Sequence, residues 1–126
     1  MARLDEIVVD CRAAPALARF WAEVLDGYAV RPYDDAEIAR LAGLGLTPQT
    51  DPTVAVDGPG PTLFFQEVPE PKSGKNRLHL DVTAADRQAE VTRVQVLGAR
   101  VLAEHPGWTV LADPEGNEFC ISSRGG

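Results

Sequence analysis

One of the two histidines in this 126-residue chain, His79, stands inside the alternation RLHLDVT, where a valine would satisfy a strand equally well. An imidazole there can move a proton near neutral pH or hold a metal ion. Glu6, in LDEIVVDC, and Glu118, in NEFCIS, are carboxylates in similarly apolar surroundings, where a charge is costly unless paired or liganded. Together the three residues offer a general acid and two general bases. Each also has a plainer reading. His79 can be a hydrogen-bonded wall residue paired with Glu6 or Asp81, and the two glutamates can lie on edge strands with one wet face. Lys72, Lys75 and Arg77 form the basic cluster of an acidic chain, either a solvated connector or a site for a carboxylate or phosphate. His105, ahead of Pro106 and Gly107, is expected in a solvated turn.

The bulk composition narrows the classes. A net charge of −7 argues against a nucleic-acid partner, which needs a basic face to displace counterions. No apolar run approaches the roughly 20 residues needed to cross a bilayer. The start, MARLDEIVVDC, has no secretory apolar region, so a cytoplasmic protein that binds neither membrane nor nucleic acid is expected. Cys11 and Cys120 match no metal or redox spacing, and both are expected to be reduced, buried thiols.

The elements that must position these side chains occur in a repeated order. LDEIVVDC has strand character, Pro15 suits the first turn of a helix, and Leu17, Phe20, Trp21, Val24 and Leu25 mark one buried stripe ending at Gly27. RLHLDVT, the cap Asp86, the stripe Val91, Val94 and Leu97, and Gly98 repeat that order. Gly27 and Gly98 are 71 residues apart, as are Val30 and Val101. Each copy ends in a hairpin: the turn at Asp57-Gly58-Pro59-Gly60 leads into TLFFQEV, and Asp113-Pro114-Glu115-Gly116 leads into NEFCIS. Those turns are only 56 residues apart, so the first copy carries 15 extra residues around DDAEIARLAGLGLTPQTDP, where Ile38, Leu41 and Ala42 suggest an added short helix. The expected fold class is α+β, one domain over residues 1–126 built from two tandem βαβββ modules, 3–68 and 76–123, with curved mixed sheets around a cleft.

The repeat, RLHLDV, FWAEVLDG and the ending LADPEGNEFCI together resemble the vicinal oxygen chelate superfamily, in its glyoxalase-like and bleomycin-resistance-like branch. The resemblance implies small-molecule binding, a homodimer, and either lyase or isomerase chemistry or sequestration of an apolar or aromatic compound such as an antibiotic. Catalytic relatives hold a divalent metal on four side chains, from the first and last strands of each module. Carried over, those positions give His79 for the second module's first strand and Glu6 for the first module's. On the last strands they give Cys120 and Phe64, with Glu118 and Gln66 two residues away on the same faces. His79, Glu6, Gln66 and Glu118 would thus form a shifted, oxygen-rich metal site. Because the usual four-ligand set is incomplete, the metal-free protein is the expectation and a divalent metal the other reading. His79, Glu6 and Glu118 are the expected catalytic groups. Gln66, Phe64, Trp108, Arg77 and Cys120 are the expected ligand contacts, Trp108 as a platform for a planar molecule.

Overall fold

The computed structural model describes residues 1–123, and the chain divides into two compact units, Met1–Pro71 and one starting at Lys72. In the first unit the order is β1 (Glu6–Cys11), α1 (Ala14–Val24), β2 (Ala29–Val30), α2 (Asp35–Gly43), β3 (Thr53–Asp57) and β4 (Thr62–Glu67). Its four strands form one mixed sheet in the order β1-β4-β3-β2, with β1 parallel to β4 and the other pairs antiparallel. The second unit runs β5 (Leu80–Ala84), α3 (Arg87–Leu97), β6 (Arg100–Glu104), β7 (Trp108–Ala112) and β8 (Glu118–Ser123). Its sheet, β5-β8-β7-β6, repeats the first, including the parallel outer pair. Both expected βαβββ modules are present, and α2 is the insertion in the first.

Local chemistry explains the elements. Pro15 lies in the first turn of α1, and the Glu67 carboxylate accepts the Ala14 N–H at 2.9 Å, a cap supplied from β4. Leu17, Phe20, Trp21 and Val24 bury the expected stripe of α1, packed towards β2, β3 and β4. Helix α2 is capped by Asp34, which accepts the Glu37 N–H at 2.8 Å, and α3 by Asp86, which accepts the Ala89 N–H at 3.0 Å. Gly98 closes α3 at φ +121°, a conformation that L side chains rarely adopt. In the β3–β4 turn, Gly58 lies against the Tyr28 ring so closely that an added Cβ would fall 2.4 Å from it. The corresponding turn of the second unit is organised by Asp113, 4% exposed, whose carboxylate accepts the N–H groups of Glu115 and Asn117 and the Asn117 amide.

Each core lies between the helix and one sheet face. Val54, Val56, Leu63 and Phe65 point towards α1, and Leu111, Phe119 and Ile121 towards α3. The alternate residues, among them Val8, Phe64 and Gln66 in one unit and Asp81, Val110 and Cys120 in the other, occupy the opposite faces.

One boundary differs from the sequence-based expectation. The strand expected over RLHLDVT begins only at Leu80, so Arg77, Leu78 and His79 precede it. Asn76 accounts for the delay. Its N–H donates to Glu118 Oε1 at 3.3 Å and its amide nitrogen to the Leu78 and Glu118 carbonyls, so side-chain bonds stand where ladder bonds would form.

Candidate functional site

Two groups of side chains stand out, one in each unit. The first surrounds a cavity of about 510 Å³, a volume suited to a small organic ligand. Its floor is Phe64 and Ala55, and its wall is the segment that the insertion adds, with Tyr33, Glu37, Arg40 and Asp51 among the lining residues. Phe64 is half-buried because it lies on the sheet face opposite α1, flanked by Val8 on β1 and Ala55 on β3.

The charges around this cavity are mostly paired. Arg31 grips Asp57 with two hydrogen bonds, Nε at 2.8 Å and a terminal nitrogen at 3.0 Å. That bond, then Thr62, which donates its hydroxyl at 2.7 Å, holds the Asp57 carboxyl below its ordinary value. Arg40 grips Glu37 in the same two-pronged way. Asp51 is different. It is 4% exposed and accepts only from neutral donors: the Tyr33 hydroxyl at 2.9 Å, the Thr53 N–H at 3.0 Å and the Thr53 hydroxyl at 3.4 Å. Burial, followed by the bond to Asp51 and its charge, pushes the Tyr33 hydroxyl up to about 12, so it remains a donor throughout the physiological range.

The second group lies on β5 and β8. His79, Asp81 and Cys120 bring a nitrogen, an oxygen and a sulfur within 4.8 Å of one another, with His79 Nε2 3.1 Å from Asp81 Oδ1. The parallel register sets Asp81 directly beside Cys120, and the half-exposed His79 reaches them from just before β5. Burial first, and then the charge and hydrogen bond of Asp81, raise the Cys120 thiol, while Lys75 works in the opposite direction. The thiol is therefore kept protonated unless a cation displaces its proton.

This donor set fits a borderline divalent ion. Zinc takes imidazole, carboxylate and thiolate ligands at about 2.0–2.3 Å, leaving a fourth position for water or substrate. The fit differs from the expected His79, Glu6, Gln66 and Glu118 set. Glu118 Oε2 is closed off from solvent and meets the Lys72 ammonium at 3.1 Å, while Oε1 accepts from Asn76. Burial would raise this carboxyl, but Lys72 and Asn76 more than offset it and leave it below its ordinary value. Gln66 donates its amide to Asp10 at 2.8 Å, and Glu6 is exposed at the start of β1.

The remaining expected contacts are placed as follows. Trp108 is 42% exposed and stacked on His105, with ring centroids 4.5 Å apart and planes 16° from parallel. His105 therefore has an aromatic partner in its turn. Arg77 is exposed, and Lys72 is drawn to Glu118 and to the Gly74 carbonyl. Cys11 is buried as expected, whereas Cys120 is only half-buried because it sits on the face opposite α3. The sequence reading missed Asp51, Tyr33 and Arg40 as lining residues. The available signal was the 15-residue surplus itself, since additional chain beside a sheet face has to cover something.

The family described as Glyoxalase-like domain matches residues 6–122. No curated protein matches the sequence. Solved structures share the fold at low identity. A glyoxalase/bleomycin resistance protein/dioxygenase family enzyme from Burkholderia phytofirmans PsJN is 18% identical with a TM-score of 0.68, covering 97% of this chain and 98% of its own. The fosfomycin resistance protein FosX from Mesorhizobium loti is 15% identical with a TM-score of 0.68, over 97% and 91% of the two chains. A glyoxalase family protein from Bacillus cereus is 16% identical with a TM-score of 0.62, over 98% and 94%.

Proposed function

The chain belongs to the glyoxalase-like domain family, and on that premise we propose that it binds a small organic molecule in the cavity of its first unit. The observation that carries this reading is the cavity itself, about 510 Å³, floored by Phe64 and walled by an insertion that the second unit lacks. A half-buried ring with polar groups around it supplies apolar contact for a planar ligand and fixes its orientation at the rim. Sequestration of an aromatic compound needs no more than this. A homodimer remains part of the proposal, and among the described residues no helix is long and apolar enough to cross a membrane.

Lyase or isomerase chemistry is the second reading, favoured by the His79–Asp81–Cys120 group. His79, Asp81 and Cys120 would hold a divalent ion such as zinc, which when bound polarises a carbonyl oxygen. A metal-free form of the same chemistry would instead use His79 as the acid or base, with its imidazole oriented by Asp81. Glu118, in the same unit, is the proposed additional base and first has to leave Lys72.

Two measurements test these readings. Thermal unfolding in the presence of planar aromatic compounds should show a concentration-dependent rise in Tm, as binding to the folded state alone requires. No rise at millimolar concentration with any compound contradicts the binding reading. Elemental analysis of untagged protein should find zinc in wild type and its loss in His79→Ala. Metal-free wild type purified with zinc present removes the metal-assisted reading.

A further inference from the structure

Building on the binding reading above, we infer that the cavity of the first unit selects an organic cation, an ammonium or amidinium on an apolar body, and that Asp51 determines this selectivity. Most charges in the lining are already paired. Arg31 is locked on Asp57 and Arg40 on Glu37, each by two hydrogen bonds, so both guanidiniums are neutralised by carboxylates of their own unit. Two acidic lining residues lie outside those pairs, Asp34 and Asp51. Asp34 is exposed and occupied at the α2 cap.

Asp51 is the unusual member. A carboxylate with 4% exposure normally has a cationic partner, because burying an uncompensated charge is costly. Among the described residues no Lys, Arg or His nitrogen forms an ion pair with it. Its three donors are neutral, and they leave part of its acceptor capacity unused: Oδ1 takes both Thr53 bonds, while Oδ2 takes the Tyr33 hydroxyl alone. The Arg40 charge acts on Asp51 only from beyond ion-pair distance, so a cationic nitrogen placed at Oδ2 would fill the vacant acceptor site and supply a direct countercharge. Its apolar body would then lie over Phe64 and Ala55, and the same ring face attracts a cation. A carboxylate ligand could reach only the N–H groups that Asp57 and Glu37 leave unused, on guanidiniums whose charge is already paired, and it would meet repulsion from Asp51.

Three probes on one skeleton separate the charge from the ring: 2-naphthylmethylamine, 2-naphthylmethanol and 2-naphthoate, each titrated calorimetrically into the full chain at pH 7. The amine should bind at least tenfold more tightly than the alcohol, and the carboxylate most weakly. In Asp51→Asn the amine should lose about tenfold more affinity than the alcohol does, since Asn removes the charge but keeps one oxygen for Tyr33 or Thr53. Should Asp51→Asn fail to fold, the wild-type ranking and the Thr53 amide resonance still decide. That amide bonds to Asp51 Oδ1 and should move more with the amine than with the alcohol. Carboxylate binding tightest, or equal affinity for amine and alcohol, overturns the cation assignment and leaves the cavity reading in place. Binding of none of the three overturns the cavity reading itself, and this inference with it.

Discussion

The face opposite α1 and the face opposite α3 share a strand order and a register but differ in their side chains. Four residues beyond the turn glycine, the first unit has Phe64 and the second Cys120. Their parallel neighbours are Val8 and Asp81, and two residues before those stand Glu6 and His79. One face is therefore apolar at its centre, with its carboxylates and amides towards the ends. The other concentrates nitrogen, oxygen and sulfur donors at its centre. Towards the helices the two sheets are alike, because Leu63 and Phe65 in one answer to Phe119 and Ile121 in the other, all close to fully buried. Buried faces are constrained by packing, and a duplicated unit has to retain them. The opposite faces carry no such constraint, so the two units diverge there, and the insertion adds a wall to only one.

Four substitutions test this difference between the faces. The largest effect is expected towards the helices. Phe65→Ala and Phe119→Ala should each lower unfolding stability by about 3–5 kcal/mol, the usual cost of emptying a fully enclosed phenyl site, read from urea unfolding. A cost under about 1 kcal/mol in either unit would show that the two cores are not equivalent. On the diverged face of the first unit, Phe64→Ala should weaken 2-naphthylmethanol about tenfold, or about 1.4 kcal/mol, by calorimetry. Unaltered affinity would move the ligand off this face. The smallest effect concerns the pair that pins the second unit's connector. The Glu118 carboxyl is held below its ordinary value when folded, so its contribution to stability is complete above the usual glutamate range and is lost as pH falls through the lowered folded value. Glu118→Gln should cost less than about 1 kcal/mol at pH 7 and flatten the acid limb of the stability profile. An unchanged acid limb would mean that the Lys72 contact contributes nothing in solution.

Sequence patterning revealed the repeat because glycine, proline and capping residues act through local backbone chemistry. Gly98, Pro15 and Asp86 each stand where their own geometry ends or starts a helix, whereas α1 already ends at Val24 and Gly27, at φ +77°, turns the chain just beyond its Leu25 cap. The 15-residue surplus gave away the insertion, and Leu41, 1% exposed, anchors α2 as the apolar spacing suggested. What escaped depends on side chains meeting across long separations. Tyr33 and Asp51 are 18 residues apart and on no shared element, so no spacing links them. The RLHLDVT alternation was sound as a pattern, but Asn76 and Glu118, 42 residues apart, stop the strand before it reaches His79. Asp10 and Asp81 look alike in VVDC and HLDV. The register sets Asp81 level with Val8, and Asp10 instead serves as the acceptor for Gln66.

On the proposed reading, the unit with the insertion receives the small molecule and the donor-rich face of the other does not. Backbone amide shifts of the full, uniformly labelled chain during titration with 2-naphthylmethanol test it directly. The perturbed amides should cluster at Tyr33, Thr53, Ala55 and Phe64. Perturbations centred on Asp81, Trp108 and Cys120 instead would contradict it.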